Sequence, residues 1–409
     1  MAKVLTMILA GGEGSRLYPL TQSRTKPSVP FGGSYRLIDC VLNNFVNSDL
    51  LRIYVLTQFK SQSLNEHLRK AWELNSFTDT FIDAIPAQMN KGKHWYTGTA
   101  DAIYQNIQFI EADEAEIVCI FGSDHIYKMD IRQKIEFHKQ KKATLTVSAI
   151  RLPKEQAYHF GIIEVDVNGR MIGFTEKPAV EDAKTIPGDP DHVLASMGNY
   201  IFNSAALQKE LIRDAEDEQS SHDFGKDIIP HLLETEDVFV YDFTTNKIPN
   251  EVGGAYWRDV GTIESYWEAN MDLIKETPPI SFYNRAWPMH THYPALPAAN
   301  FQNHQQSNCS IRRSLISDGA LIIGATVEKS VLGFKCFVDE DSTVYESVLL
   351  GDTKIGKNCE IIKTIIDKDV EIADGVKIGV NLDSDRKRFT VSDEGIVVIP
   401  KGARIGFDS

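Results

Sequence analysis

The sequence has no apolar run near the length that crosses a bilayer. Its first such run, Val4 to Ala10, stops at Gly11-Gly12 and carries no small-residue cleavage pattern, so neither a spanning helix nor a secretory leader is expected. Cysteine is scarce as well. The five (Cys40, Cys119, Cys309, Cys336 and Cys359) are an odd number with no C-x-x-C pair, which argues for small core residues in a reducing cytoplasm rather than disulfides or zinc ligands. Positive charge is in deficit: 43 Lys and Arg against 57 Asp and Glu leave a formal net charge of −14. That balance argues against a general affinity for nucleic acid or for acidic membranes, and leaves room for a local basic site around a small phosphorylated ligand. Two familiar phosphate loops are missing too. G-x-G-x-x-G would need glycine at position 17, where Leu17 stands, and no G-K-[ST] follows the glycines.

What is present is a chain of 409 residues, long enough for two or three domains. Over 1–275, β-like and helix-like stretches alternate: strands at 53–57, 117–121 and 144–150, helices at 61–73, 101–111 and 131–141. This rhythm predicts an α/β fold, a Rossmann-like, mostly parallel sheet with helices on both faces and ligands at the carboxyl ends of its strands. Asn168-Gly169, between 160–165 and 171–175, predicts a hairpin; 198–202 reads as a further strand and 182–191 as a surface loop. Residues 276–307, with Pro278, Pro279, Pro288, Pro294 and Pro297 among many aromatics, read as a linker packed on the domains. Over 308–409 apolar residues recur six apart (Val370 and Val376, Ile372 and Ile378, Ile355 and Ile361), the period of a hexapeptide β-helix. An irregular β-sandwich is the alternative. Stacked coils suit an interaction role better than a catalytic one.

The chain is organised around Ile8-Leu9-Ala10-Gly11-Gly12-Glu13-Gly14-Ser15-Arg16-Leu17, a buried first strand breaking into three glycines. Glycine lets backbone amides close round a phosphate, and Arg16 and Lys26 follow with cationic donors. A plain strand-to-loop corner is the other reading. Asp124, in F-G-S-D-H-I-Y, follows a buried strand at the same sheet edge. It is placed to hold Mg²⁺, which prefers oxygen ligands, or to cap a turn. Asp259, in Y-W-R-D-V-G-T, is either a second metal ligand or the cap of a helix starting at Thr262. Two such acids on one Mg²⁺ would neutralise a triphosphate.

Other motifs read more openly. Gly98-Thr99 start a helix whose free N–H groups suit an anion or a base edge, or merely begin the helix. Gln88 offers an amide suited to reading a nucleobase. Trp95-Tyr96, in a loop after Lys91 and Lys93, offers a stacking face or ordinary packing. Lys177, in F-T-E-K-P, is by default a surface lysine. Ser221, His222 and Asp223 adjoin in sequence, but a hydrolytic triad is assembled by geometry, so they are not read as one.

Taken together, the Gly-rich loop with R-L-x-P-L-T and T-K-P-S-V-P, Y-R-L-I-D (35–39), V-L-T-Q (55–58), W-Y-T-G-T-A-D-A (95–102), D-H-I-Y (124–127), F-T-E-K-P (174–178), A-S-M-G (195–198), S-S-H-D-F-G-K-D (220–227) and Y-W-R-D-V-G-T (256–262) resemble the sugar-1-phosphate nucleotidylyltransferases, in detail the ADP-glucose pyrophosphorylases of bacteria and plants. The resemblance covers essentially the whole chain. It implies ATP and glucose 1-phosphate as substrates, ADP-glucose and pyrophosphate as products, Mg²⁺ as cofactor, and a C-terminal left-handed parallel β-helix. Catalytic roles fall on Arg16, Lys26, Asp124 and Asp259, with the metal on Asp124 and Asp259. ATP falls to Gly11, Gly12, Gly14, Gln88, Gly98 and Thr99. Glucose 1-phosphate falls to Tyr96, Gly161, Glu176, Lys177 and Ser196.

The resemblance also implies a homotetramer regulated by phosphorylated metabolites. Ser23 stands where the family often has an activator-site lysine, which leaves Arg24, Arg36, Arg386 and Arg388 as effector candidates; 386–388 reads equally as a solvated charged turn. Ser123 stands where many members have glycine. A related enzyme using UTP, dTTP or GTP, or a regulatory subunit without turnover, are the competing readings.

Overall fold

The computed structural model describes residues 3–74, 79–90, 94–251, 254–304 and 307–407; Lys91 and Lys93 lie outside the described residues. The first strand, β1 (Val4–Ala10), is buried along most of its length because it lies between two parallel neighbours, β2 (Arg52–Thr57) and β4 (Ile117–Gly122). A strand covered on both faces has no reason to alternate, hence its unbroken apolar run. β3 (Phe81–Pro86) extends the parallel half. Leu9 lies opposite Leu56 on one side and Gly122 on the other, so three strands end together and deliver Gly11, Gln58 and Asp124 to one edge.

The expectation of a mostly parallel sheet needs correction. The nine-stranded sheet is mixed; seven of its strands follow the order β8-β7-β9-β4-β1-β2-β3, and two more lie off that path, one beside β9 and the next beside that one. Here β7 is Gly161–Val165, β8 is Met171–Glu176 and β9 is His192–Asn203. β9 runs antiparallel to β4, to β7 and to β6 (Leu145–Pro153), and β7 and β8 form the antiparallel hairpin that Asn168-Gly169 predicts. β10 (Val238–Asp242) is parallel to β6. Apolar alternation marks a strand without marking its direction, which is set by the connections.

Helices cover both faces. α1 (Leu37–Asn47), α2 (Gln62–Ala71) and α5 (Ile131–Lys141) pack on one, burying Val41, Phe45, Leu64 and Ile135 with Ile8 and Phe121. α6 (Ser204–Ala215) and α7 (Ile229–Thr235) pack on the other with Leu5, Met7 and Ile120. The helix expected over 101–111 is two, α3 (Thr99–Tyr104) and α4 (Ile107–Asp113). Between them Gln105 donates to the Asp101 carboxylate and Asn106 to the Ala102 carbonyl, buried side-chain bonds that end the first helix.

Residues 277–299 carry neither helix nor strand. They are pinned along α1 by residues four apart: Asn47 donates to Pro288 O, Asn43 both donates to and accepts from the His290 backbone, and Asp39 accepts from Thr291. From Asn300 onward, short strands stack in three sheets, parallel throughout except where Thr390–Val391 runs antiparallel to Val397–Ile399. Val327, Val344, Ile361 and Ile378 stack in register, as do Leu332, Leu349, Ile366 and Ile399, all of them buried. This is a parallel β-helix, and the sandwich alternative falls.

Candidate active site

Three segments build the charged cluster at the sheet edge. Gly14 lies at φ +66°, and a Cβ there would come within 2.9 Å of Lys26 Cβ. Glycine at 14 therefore lets the loop close over the lysine. Thr21 and Thr25 hydroxyls hold the loop by donating to Gly14 O and Gly12 O. Lys26, buried on a single 3₁₀ turn, extends Nζ to Asp124 Oδ2 at 2.7 Å and to Asp259 Oδ1 at 3.4 Å. The two acids meet because β5 (His125–Tyr127) pairs antiparallel with β11 (Trp257–Asp259), setting His125 opposite Asp259. Asp259 is no helix cap. Thr262 caps α8 (Ile263–Asp272), with Ser265 closing the capping box.

The electrostatics follow from that geometry. Burial alone would lower the Lys26 pKa, but Asp124 and Asp259 outweigh it and raise the value. Burial would raise Asp124; Lys26 and His125 outweigh it and hold the carboxyl well below the usual carboxylate range. Two carboxylates against one ammonium leave one net negative charge. Donor atoms of Asp124, His125 and Asp259 lie within 4.8 Å of one another. Oxygen donors with residual negative charge fit a hard divalent cation. Arg16 lies alongside, its Nη2 3.0 Å from where a Gly261 Cβ would be.

The cluster floors a cavity of about 670 Å³ at the carboxyl ends of the parallel strands. Gly11, Gly12, Gly14, Arg16, Lys26, Tyr96, Gly98, Thr99, Asp124, Gly161, Glu176, Lys177, Ser196 and Asp259 all line it. On one wall Lys177 Nζ lies 3.1 Å from Glu176 Oε1. A Cβ on Gly161 would drive into Phe174 and Glu176. On the other wall Gly98 abuts the Ser221 and His222 carbonyls, Ala100 N–H donates to His222 O, and the Thr99 hydroxyl donates to Asp223 and accepts from Phe224 N–H. The α3 N-terminus is thus partly satisfied by protein, and less of it is free for an anion than expected. His222 pairs with Asp214 and Ser221 with Asp227, so the three adjacent residues form no triad.

Gln88 is the exception among the expected ATP contacts: it is exposed beyond β3 and does not line the cavity. The amide on the wall is Gln58, whose Oε1 accepts from Tyr96 N–H. Both follow strands that end at the same edge, and only the edge position of β3 separates them. Sequence reasoning also missed an aromatic wall, in which His125, Trp257, Phe160, His159 and Tyr158 follow one another ring to ring at 3.9–6.0 Å.

The effector candidates lie elsewhere. Arg24 is buried and makes a two-oxygen ion pair with Asp367 of the β-helix, at 2.8 and 3.0 Å. Burial first, and then the nearby charge of Arg24, lowers the pKa of Arg36 and of Lys368. Arg386 and Arg388 are exposed, the first paired with Asp383 and the second stacked on Phe389. Among the described residues no hydrogen bond or ion pair joins them to Arg24 or Arg36.

Residues 5–276 match the nucleotidyl transferase family model, and residues 296–399 match the GlmU-like C-terminal hexapeptide model. Over 407 residues, and the full length of both chains, the sequence is 61% identical to glucose-1-phosphate adenylyltransferase 1 of Vibrio parahaemolyticus and 63% identical to glucose-1-phosphate adenylyltransferase of Photobacterium profundum. The chain belongs to the glucose-1-phosphate adenylyltransferases. A relative from an Anaeromyxobacter species, of the same printed name, is 49% identical over 410 residues. The hexapeptide match makes the C-terminal coils a left-handed β-helix.

Proposed function

We propose that the chain makes ADP-glucose and pyrophosphate from ATP and glucose 1-phosphate in this cavity, supplying the glucosyl donor for glycogen synthesis. The observation that carries the reading is Lys26 bridging Asp124 and Asp259 between a glycine loop and the Glu176–Lys177 wall. A phosphate oxygen of glucose 1-phosphate attacks the α-phosphorus of ATP in line. The new O–Pα bond forms as the Pα–O bond to the β-phosphate breaks, and pyrophosphate leaves with that electron pair. The nucleophile is already anionic, so the enzyme's part is positioning and charge stabilisation. The Gly11–Gly14 backbone, Arg16 and Lys26 hold the triphosphate; Lys177 takes the sugar phosphate, and Glu176, Ser196, Gly161 and Tyr96 the sugar. Asp124 and Asp259 would hold Mg²⁺, which supplies charge neutralisation on the phosphates when bound.

The same reading ends the nucleotidyl transferase domain near 275 and begins the β-helix near 300, makes the chain a cytoplasmic homotetramer, and gives it an anion-responsive effector site at Arg24, Arg36 and Lys368. Burial and the neighbouring guanidiniums push Lys368 down to about 8, as expected of cations gathered without enough anions. Arg386 and Arg388 stand apart from that cluster and are the weaker effector candidates. A matrix of pyrophosphate release over ATP, UTP, dTTP and GTP with glucose 1-phosphate and mannose 1-phosphate tests the substrate assignment. Preference for ATP with glucose 1-phosphate is expected, and equal rates with another pair would overturn it. Thermal stabilisation by fructose 1,6-bisphosphate that is lost in Arg36→Ala tests the effector site.

A further inference from the structure

Lys134, on α5, is fully buried, and among the described residues no carboxylate pairs with it. Its Nζ donates to the Asn199 carbonyl at 2.8 Å and lies 5.1 Å over the Phe121 ring. An ammonium without a counter-ion is costly to bury, and burial drops its pKa to about 7. A side chain of similar volume without charge would occupy the same space at no such cost. What the ammonium touches accounts for its presence. β9 pairs with β6 up to Ser196 and again from Tyr200, and the register breaks between them. Gly198, inside the break, sits at φ +66°. The break turns Ser196, Met197 and Gly198 onto the cavity wall. Asn199, which closes the break, pairs with Phe121 on β4, three residues before Asp124. Lys134 therefore grips both the strand that carries the metal-site acid and the one that carries the sugar wall. The Asn199 side chain donates to Tyr127 at 3.3 Å and its Oδ1 is buried and unpartnered, while its backbone carbonyl is the atom that Lys134 holds.

We infer that Lys134 is a positioning residue, whose buried Nζ donor fixes the break in β9 and so holds Ser196–Gly198 in place for glucose 1-phosphate. The inference rests on reading that wall as the sugar half. Lys134→Met keeps the volume and removes the donor. The expected result is an unchanged or raised Tm, a KM for glucose 1-phosphate higher by about fivefold or more, and a KM for ATP within about twofold of the parent. Lys134→Gln, one bond shorter but still a donor, should fall between parent and Met, and it keeps the test open if the Met variant does not fold. Unchanged KM for both substrates, or a parallel rise in both with a lower Tm, would overturn the inference. Ser196→Ala separates the two levels. If it raises the KM for glucose 1-phosphate and Lys134→Met does not, only the role of Lys134 fails; if it does not, the sugar-wall reading fails.

Discussion

Lys26 carries more of the site than its place in the sequence suggests. One ammonium touches carboxylates from two distant segments, and it is set there by a glycine whose missing side chain leaves room for it. Lys26→Met removes a preorganised charge and leaves Asp124 and Asp259 facing each other unshielded. Steady-state assays should show kcat lower by about 10²-fold or more, with far-UV circular dichroism unchanged. At this scale the sequence was most informative where chemistry restricts the residue type. Asp124, Lys177 and the glycine loop are legible as ends of strands bearing charge or bare backbone, whereas Asp259 reads equally as a helix cap until its strand is seen beside that of His125. Gln88 and Gln58 were not separable, since an amide just past a strand looks the same whether the strand is central or at the edge.

α5 shows how a helix can be legible in extent and not in purpose. Its bounds, Ile131–Lys141, coincide with the apolar periodicity, yet the pattern does not show that Lys134 and His138 face inward. His138 bonds Thr146 on β6, and burial with Lys134 and Lys139 nearby lowers its pKa from 6.5 to about 4. Between those values the unfolded chain binds the proton and the folded one does not. The contribution of this residue to stability is therefore complete above pH 6.5 and declines as pH falls toward 4, by about 3 kcal/mol. Denaturant melts across that range should lose this slope in His138→Gln. α1 makes the complementary case. Asp39, fully buried, accepts from His67, Trp72, the Arg36 N–H and Thr291. Asp39→Ala strands four donors and should cost about 3 kcal/mol or more, seen as a lower Tm and earlier proteolysis across 277–299. The linker's prolines announced an extended segment; what holds it down comes from side chains on another element, outside any local pattern.

Across the whole molecule, the β-helix and the catalytic sheet are joined by a shared apolar core, in which Leu17, Leu20 and Tyr266 meet Val348 and Ile365, and by the Arg24–Asp367 pair. Breaking that buried pair from one side leaves a charge without its partner. Arg24→Ala should cost about 3–5 kcal/mol. A double-mutant cycle with Asp367→Leu should recover much of it. The six-residue period made the β-helix readable, because each coil repeats the same buried positions. The docking of coils on the sheet was not readable, since it depends on isolated contacts such as the Trp267 indole donating to Glu346 O.

The central claim is that Asp124 and Asp259 form one divalent-metal site. Electron paramagnetic resonance of Mn²⁺, bound to the protein with a non-hydrolysable ATP analogue, tests it most directly. The parent should bind the ion, with Asp124→Asn and Asp259→Asn each weakening it by about tenfold or more and altering the spectrum. Mn²⁺ affinity and spectra unchanged in both variants would contradict the account.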